Sequence, residues 1–346
     1  MKATWKKYTL NFKQASGTSR GILRTKDSYF IFLEKDGKQG IGECGILKGL
    51  SADDRPDYEP KLNWLMENIH LAEAELYAEV IEYPSIQAGL EMALLDLKSE
   101  NHILFPSDFT QGKAMQPING LIWMGDVDFM KEQVAQKLKD GFAVLKMKIG
   151  AINFEDELAI LKSIRSEFGA DELELRVDAN GAFFPSEAMD VLNRLADLKI
   201  HSIEQPIKKG QWQELAALCE VPPIAIALDE ELIGVFTQAK KRELLRTIRP
   251  QHIILKPSFV GGFRGSEEWI ALAKEMYMGW WATSALESNI GLSAIAQWNF
   301  TQENKVPSGL GTGSLYTNNF ESPLYVKGGG IGYNPEQSWD ISALAK

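Results

Sequence analysis

Val144-Leu145-Lys146-Met147-Lys148 and Leu173-Glu174-Leu175-Arg176-Val177-Asp178 bracket a segment in which Leu158, Leu161, Ile164 and Phe168 recur at helical spacing. Two β-rich runs around an amphipathic helix form one strand–helix–strand unit, the building block of a parallel sheet. The pattern repeats toward the C-terminus in the runs Ile200–Glu204, Ile224–Asp229, His252–Lys256, Trp280–Ser284 and Pro307–Gly311. From Lys148 onward the strand ends are separated by 30, 26, 25, 27, 28 and 27 residues, which suits a strand, a crossover helix and two loops. Ala188, Val191, Leu192 and Leu195, behind the helix start Pro185-Ser186-Glu187, supply another apolar face. With Ile118–Trp123 as a first strand and Phe129–Asp140 as its helix, the count reaches eight units, enough to close an α/β barrel of the TIM type, in a modified form of seven to eight units. An open doubly wound sheet is the rival, but it concentrates its ligand site at one switch point. Polar residues here mark many strand ends, as at a barrel mouth.

The N-terminal texture differs. Tyr29-Phe30-Ile31-Phe32-Leu33 and the turn Asp36-Gly37-Lys38-Gln39-Gly40 read as antiparallel strands within residues 1 to 40. Helical periodicity follows over Pro60–Glu79 and Pro84–Glu100, with Leu90, Leu94 and Leu97 beside Ala93. At roughly 150 residues per domain, 346 residues suit two domains or a large barrel with an attachment.

Hydrophobic residues make up 45% and charged residues 24% of the chain, a globular balance. The formal charge of −10 opposes binding to nucleic acid or an anionic membrane. Cys44 and Cys219 are too few for a disulfide framework and read as inert packing residues of a reducing compartment. Met1–Lys7 lacks the apolar core of a signal peptide, and no window approaches 18 consecutive apolar residues. A soluble, cytoplasmic protein acting on a small molecule is expected.

The strand ends carry the chemistry: Lys146 and Lys148, Asp178 with Asn180, Glu204, Asp229 with Glu230, Lys256, then Ser284 and Glu287. A charged residue in a strand buried on both faces needs a reason. Asp178, Glu204 and Asp229 end consecutive strands, so their carboxylates are expected to converge, and three together repel unless a cation neutralises them. All-oxygen ligation selects a hard ion such as Mg²⁺. Lysines on the flanking strands, pushed toward neutrality by the metal and by one another, would be competent bases near pH 7. That combination suits removal of a proton from carbon next to a carboxylate.

Other features read as structural. His70, His102, His201 and His252 lack metal-ligand spacing, and the nine Trp residues read as core or pocket lining. Gly261-Gly262-Phe263-Arg264-Gly265 and Gly309-Leu310-Gly311-Thr312-Gly313 are equally readable as anion cradles or tight turns.

These residues together resemble the enolase superfamily, in its muconate-cycloisomerase-like branch. The resemblance rests on Leu145-Lys146-Met147-Lys148-Ile149-Gly150, Arg176-Val177-Asp178-Ala179-Asn180, Ile203-Glu204-Gln205-Pro206, Leu228-Asp229-Glu230 and Leu255-Lys256-Pro257. It implies an α+β capping domain over residues 1–110, a (β/α) barrel over 111–315 and a C-terminal segment, 316–346, returning to the cap. It also implies Mg²⁺, with Mn²⁺ as its substitute, on Asp178, Glu204 and Asp229, and catalysis by Lys148 and Lys256 assisted by Lys146. Ala282–Gly291 and Gly309–Leu315 look like the o-succinylbenzoate synthase family, the dehydratases of menaquinone synthesis. For that reaction Asn180, Ser284 and Gly311 are the expected substrate contacts. The stretch Ser16–Asp27, a loop over the mouth in the family, carries no strict motif.

Two lysines on opposite faces also serve racemases and epimerases. Dipeptide epimerases of this branch place acidic residues at the eighth strand end, which here reads Gly309-Leu310-Gly311-Thr312-Gly313, whereas N-succinylamino acid racemisation stays open. A non-catalytic metal-binding scaffold is the alternative of another class, and the lysines argue against it.

Overall fold

The computed structural model describes residues 1–18, 21–123 and 125–344. A three-stranded antiparallel sheet opens the chain: β1 (Lys2–Thr18), β2 (Gly21–Lys35) and β3 (Lys38–Cys44), in that spatial order. Helices α1 (Tyr58–Asn68), α2 (Glu73–Glu79) and α3 (Pro84–Asp96) follow. The periodic stretch 60–79 is thus two helices rather than one; Glu75 accepts the Ala72 N–H (3.4 Å) and starts the second. Helix α3 lies directly on β3, where a Cβ at Gly42 would sit 1.9 Å from the Gly89 carbonyl oxygen. Glycine there lets two backbones touch. Tyr29, Ile31 and Leu33 of β2 close the core of this layer against Leu62, Leu65, Ile86 and Leu90.

The expected loop over 16–27 is instead the end of the β1–β2 hairpin. Ser16 pairs with Leu23, Gly17 with Ile22 and Thr18 with Gly21, while residues 19 and 20 of that stretch lie outside the described residues. Asp27 fixes its base, accepting from Thr9 Oγ1 (2.7 Å) and pairing with Lys7 (2.8 Å).

After the short strand β4 (Gln116–Pro117), seven parallel strands form one curled sheet. In chain order, each followed by its helix, these are β5 (Gly120–Ile122), α4 (Val127–Lys139), β6 (Val144–Lys148), α5 (Phe154–Glu167), β7 (Glu174–Asp178), α6 (Pro185–Ala196), β8 (Ser202–Glu204) and α7 (Trp212–Glu220). Then come β9 (Ala225–Leu228), α8 (Gln238–Ile248), β10 (His252–Leu255), α9 (Pro257–Val260), α10 (Gly262–Glu275), β11 (Gly279–Ala282) and α11 (Asn289–Thr301). The expected eighth strand, Pro307–Gly311, is reduced to isolated bridges from Ser308 to Ile118 and from Gly309 to Thr283. Pro307 has no N–H to give a ladder, and glycine weakens strands.

β12 (Leu324–Lys327) pairs with β13 (Gly330–Tyr333), which pairs back onto β4. Phe320 ahead of this pair and Leu344 beyond it bring the chain back to the N-terminal sheet, where they join Phe30 and Ile41. The fold is α/β: a (β/α) barrel under an α+β cap built from both chain ends. Among the described residues no helix is long and apolar enough to cross a membrane.

Candidate active site

Parallel pairing delivers the charged residues in register. Lys148 is opposite Asp178, and Asp178 is opposite Glu204, along β6, β7 and β8. Asp229 and Lys256 each follow the last residue of their strands, β9 and β10. Alternation then sorts the faces: Lys146 and Lys148 point into the barrel, while Leu145 and Met147 enter the packing beneath the helices. Lower in the barrel, Arg176 stacks on Trp281 (4.5 Å to the ring centroid) and donates to the Pro307 carbonyl (2.9 Å), plugging the bottom.

Lys148 and Lys256 occupy opposite ends of the carboxylate row. Lys148 Nζ donates to Asp178 Oδ2 (2.5 Å) and Asn180 Oδ1 (2.7 Å). Lys146 Nζ lies between Asp178 Oδ2 (3.0 Å) and Glu204 Oε2 (2.5 Å). At the far end Lys256 pairs with Asp229 Oδ2. Asn180 adopts a left-handed backbone (φ 45°), tolerated by asparagine, which turns its amide so that Nδ2 donates to Glu230 Oε1 (2.8 Å). Asn180 therefore links the Lys148 end of the row to Glu230.

The carboxylate row is neutralised from within the chain. Among the described residues, no three Asp, Glu, His or Cys side chains are gathered into a ready-made metal cluster. Lys146, between Asp178 and Glu204, and the lysines at the two ends of the row supply the counter-charge that like-charge repulsion demands. The same carboxylates hold Lys146 and Lys256 as ammonium groups. Burial opposes the Lys146 charge, but Asp178 and Glu204 overcome it and raise the ammonium above its ordinary range. Lys256 is likewise raised, with Asp229 and Glu204 outweighing burial. Asp178 is held well below the usual carboxylate range, since Lys146 and Lys148 outweigh the effect of its burial.

Glu204 behaves differently, and it tests the fit of a metal. Burial and the neighbouring Asp178 push its carboxyl up to about 7. Its Oε1 is buried with no hydrogen-bond partner, a costly state for a carboxylate oxygen. An all-oxygen trio with one orphaned oxygen at its centre suits a hard divalent cation.

Above the row is a cavity of about 170 Å³. Lys146, Lys148, Lys256 and Asn180 line it, and so do the other expected contacts, Ser284 and Gly311. Ser284 and Thr312 share a hydroxyl hydrogen bond (2.7 Å). The cap contributes Leu23, Leu47 and Leu50. Glu287 does not reach the cavity wall; it is fully buried and accepts from Ser258 Oγ (2.6 Å) and its own turn. Sequence reasoning passed over Asn119 and Lys137, which also line the cavity. The position of Asn119 in the run Ile118–Trp123, on the same face as Leu121, was the available signal.

The remaining polar features are structural. Cys44 and Cys219 are buried, and burial pushes Cys219 up to about 12. His201 and His252 stack at 5.6 Å low in the barrel. At Gly261–Arg264 both sequence readings hold, because the turn's N–H groups cradle an anion of the protein itself: Glu91 accepts from Phe263 N (2.6 Å) and Arg264 N (3.2 Å).

With this fold and site, the chain belongs to the Enolase C-terminal domain-like family, whose model matches residues 129–334. It is 46% identical to the o-succinylbenzoate synthase of Desulfotalea psychrophila (strain LSv54 / DSM 12343), over 96% of this chain and 99% of that protein. The crystal structure of MenC from Desulfotalea psychrophila LSv54 superposes with a TM-score of 0.86 at 42% identity, covering 96% of this chain and 99% of that one. The dipeptide epimerase from Enterococcus faecalis V583, solved with Mg and the dipeptide L-Leu-L-Tyr, shares the fold: TM-score 0.81, 20% identity, 96% of this chain and 99% of that one.

Proposed function

We propose that the protein is an o-succinylbenzoate synthase, a carbon–oxygen lyase that dehydrates 2-succinyl-6-hydroxy-2,4-cyclohexadiene-1-carboxylate to 2-succinylbenzoate in menaquinone synthesis. The observation that carries this reading is the charge of the cavity wall. Lys146, Lys148 and Lys256 face the cavity, and Glu230, bonded to Asn180, is the single carboxylate among the described lining residues. Such a wall suits a dianionic substrate and offers little to the ammonium of a dipeptide. Near full-length similarity to an o-succinylbenzoate synthase supports the same choice over an epimerase.

In this reading the barrel, residues 111–315, carries the chemistry, and residues 1–110 with 316–346 form the cap. Asp178, Glu204 and Asp229 would hold Mg²⁺, which supplies Lewis-acid stabilisation of negative charge on the substrate carboxylate. Lys148 enters as the free amine and takes the proton from the carbon bearing that carboxylate. The resulting ammonium returns the proton to the hydroxyl leaving on the same face, so the C–O bond breaks, water departs and the ring becomes aromatic. Lys256 stays an ammonium on the opposite face, where its raised proton affinity suits electrostatic stabilisation of the anionic ring. Lys146, between Asp178 and Glu204, adds positive charge at the carboxylate end.

Purified protein with Mg²⁺ should convert the cyclohexadiene to 2-succinylbenzoate, and chelation should abolish turnover. No turnover, together with rapid α-deuterium exchange into N-succinylamino acids, would make the protein a racemase.

A further inference from the structure

The barrel wall has a seam between β5 and the segment Gly309–Gly313, where among the described residues no strand ladder forms and a single bridge, Ile118 to Ser308, precedes it. Two polar side chains at this seam have no assigned role. Asn119, whose backbone N–H donates to Ser308 O (2.9 Å), is 5% exposed and lines the cavity. Among the described residues its amide has no hydrogen-bond partner, whereas the buried amides of Gln116, Gln205, Gln297 and Asn299 are all bonded. The bridges also set its depth. Lys256 is one residue beyond the Leu255–Ala282 pair, beside Thr283; Thr283 bridges Gly309, and Asn119 lies beside Gly309. Asn119 thus shares a layer of the barrel with Lys256.

Lys137 of α4 reaches the same seam from the helix side. Its stem runs past Gly120, where an added Cβ would come within 3.2 Å of Lys137 Cδ, and its Nζ is 5.0 Å from the centroid of the Phe142 ring. Among the described residues no carboxylate lies within ion-pair distance of it. Burial lowers this ammonium below its ordinary value, with Asp140 opposing from a distance. Gly311 keeps the seam open, since a Cβ there would approach Ile118 Cδ1 to 3.1 Å.

We propose that this seam is the subsite for the substrate's acyl arm: Asn119 Nδ2 donates to the arm's ketone oxygen, and Lys137 pairs with its distal carboxylate. The inference rests on the preceding reading of the substrate as one with a succinyl arm. It assigns to this chain a specificity-determining pair separate from the lysines that carry the chemistry.

The test compares binding of 2-succinylbenzoate with binding of its analogue in which the distal carboxylate is a carboxamide. Wild-type protein should prefer the acid. Lys137→Met should weaken acid binding about tenfold to a hundredfold, leave the amide within about twofold, and raise KM far more than it lowers kcat. Lys137→Arg should keep most of the preference, and Asn119→Ala should weaken both ligands alike. A Lys137→Met protein that retains the acid preference, or loses both ligands equally, overturns the subsite. Wild-type protein that neither binds 2-succinylbenzoate nor turns over the cyclohexadiene overturns the underlying function, a result recognisable without any variant.

Discussion

Lys148 and Asp178 face each other across the β6–β7 pairing, Nζ to Oδ2 at 2.5 Å, with Asn180 Oδ1 as a second acceptor at 2.7 Å. A side chain so placed, proposed as the base, cannot drift: strand register sets its stem, and two acceptors on the neighbouring strand's exit set its tip. Lys148→Ala should therefore lower kcat by about 10²- to 10⁴-fold, the usual worth of a positioned acid–base group. The circular dichroism spectrum and melting temperature should change little, because the side chain opens toward the cavity. Turnover within tenfold of wild type would remove Lys148 from the role assigned to it.

Glu204 is the carboxylate left most in need of a cation. Its Oε1 has no partner, while its Oε2 is held by Lys146. Mg²⁺ bound by the folded chain alone should raise the melting temperature, by about 2.7 kcal/mol of added stability at a concentration a hundredfold above Kd. Glu204→Gln should shift the Mg²⁺ dependence of melting to higher concentration. An unchanged titration by scanning fluorimetry would place the ion elsewhere.

Much of this site was legible because charge is conspicuous in a strand whose neighbours are all apolar. Lys146, Lys148, Asp178, Glu204, Asp229 and Lys256 stand at the ends of such runs with a regular spacing, and the barrel follows from the same spacing. What escaped notice depends on partners distant in the chain. Glu43 bonds to Ser288 and Glu91 to Phe263, and no local pattern links residues 245 or 172 positions apart. The stretch 16–27 is a loop by the family resemblance alone; its polar and small residues hide the alternation on which strand recognition depends, although the backbone pairs there. Proline and glycines in 307–311 were outweighed by the regular spacing, and the eighth strand was expected where only bridges form.

Glu91 joins the cap to the barrel, and its titration should appear in stability. Burial pushes its carboxyl up to about 7, against the lowering influence of the Phe263 and Arg264 N–H groups. With the folded value above the unfolded one, the folded chain keeps this proton longer. The stabilising contribution is complete below about pH 4.5, falls as pH rises from there to about 7, and is absent above. Glu91→Gln cannot ionise and should flatten that part of the profile, whatever its effect on the baseline. Parallel wild-type and variant curves of melting temperature between pH 5 and 7 would show that Glu91 does not titrate in this window.

Glu43 holds the other joint between cap and barrel, and it is fully buried. From β3 it accepts hydrogen bonds from Ser28 Oγ (2.7 Å), Ser288 N (3.0 Å), Ser288 Oγ (2.5 Å) and Gly291 N (3.0 Å), with Lys26 Nζ 3.9 Å away. Ser288 and Gly291 belong to the start of α11, so one carboxylate binds β2, β3 and α11 together. Glu43→Ala would strand Lys26, 3% exposed, with its ammonium already lowered by burial and Glu43 the foremost group opposing that shift. Breaking a buried pair from one side costs about 3–5 kcal/mol, so urea denaturation should register a loss of that size. Because Lys26 is on the hairpin strand that brings Leu23 to the cavity, KM should rise as well. Glu43→Gln keeps an acceptor for Ser288 and should fall between the two, and a stability of Glu43→Ala within about 1 kcal/mol of wild type, less than a single net hydrogen bond to a charged group, would mean the joint is held by the surrounding apolar contacts instead.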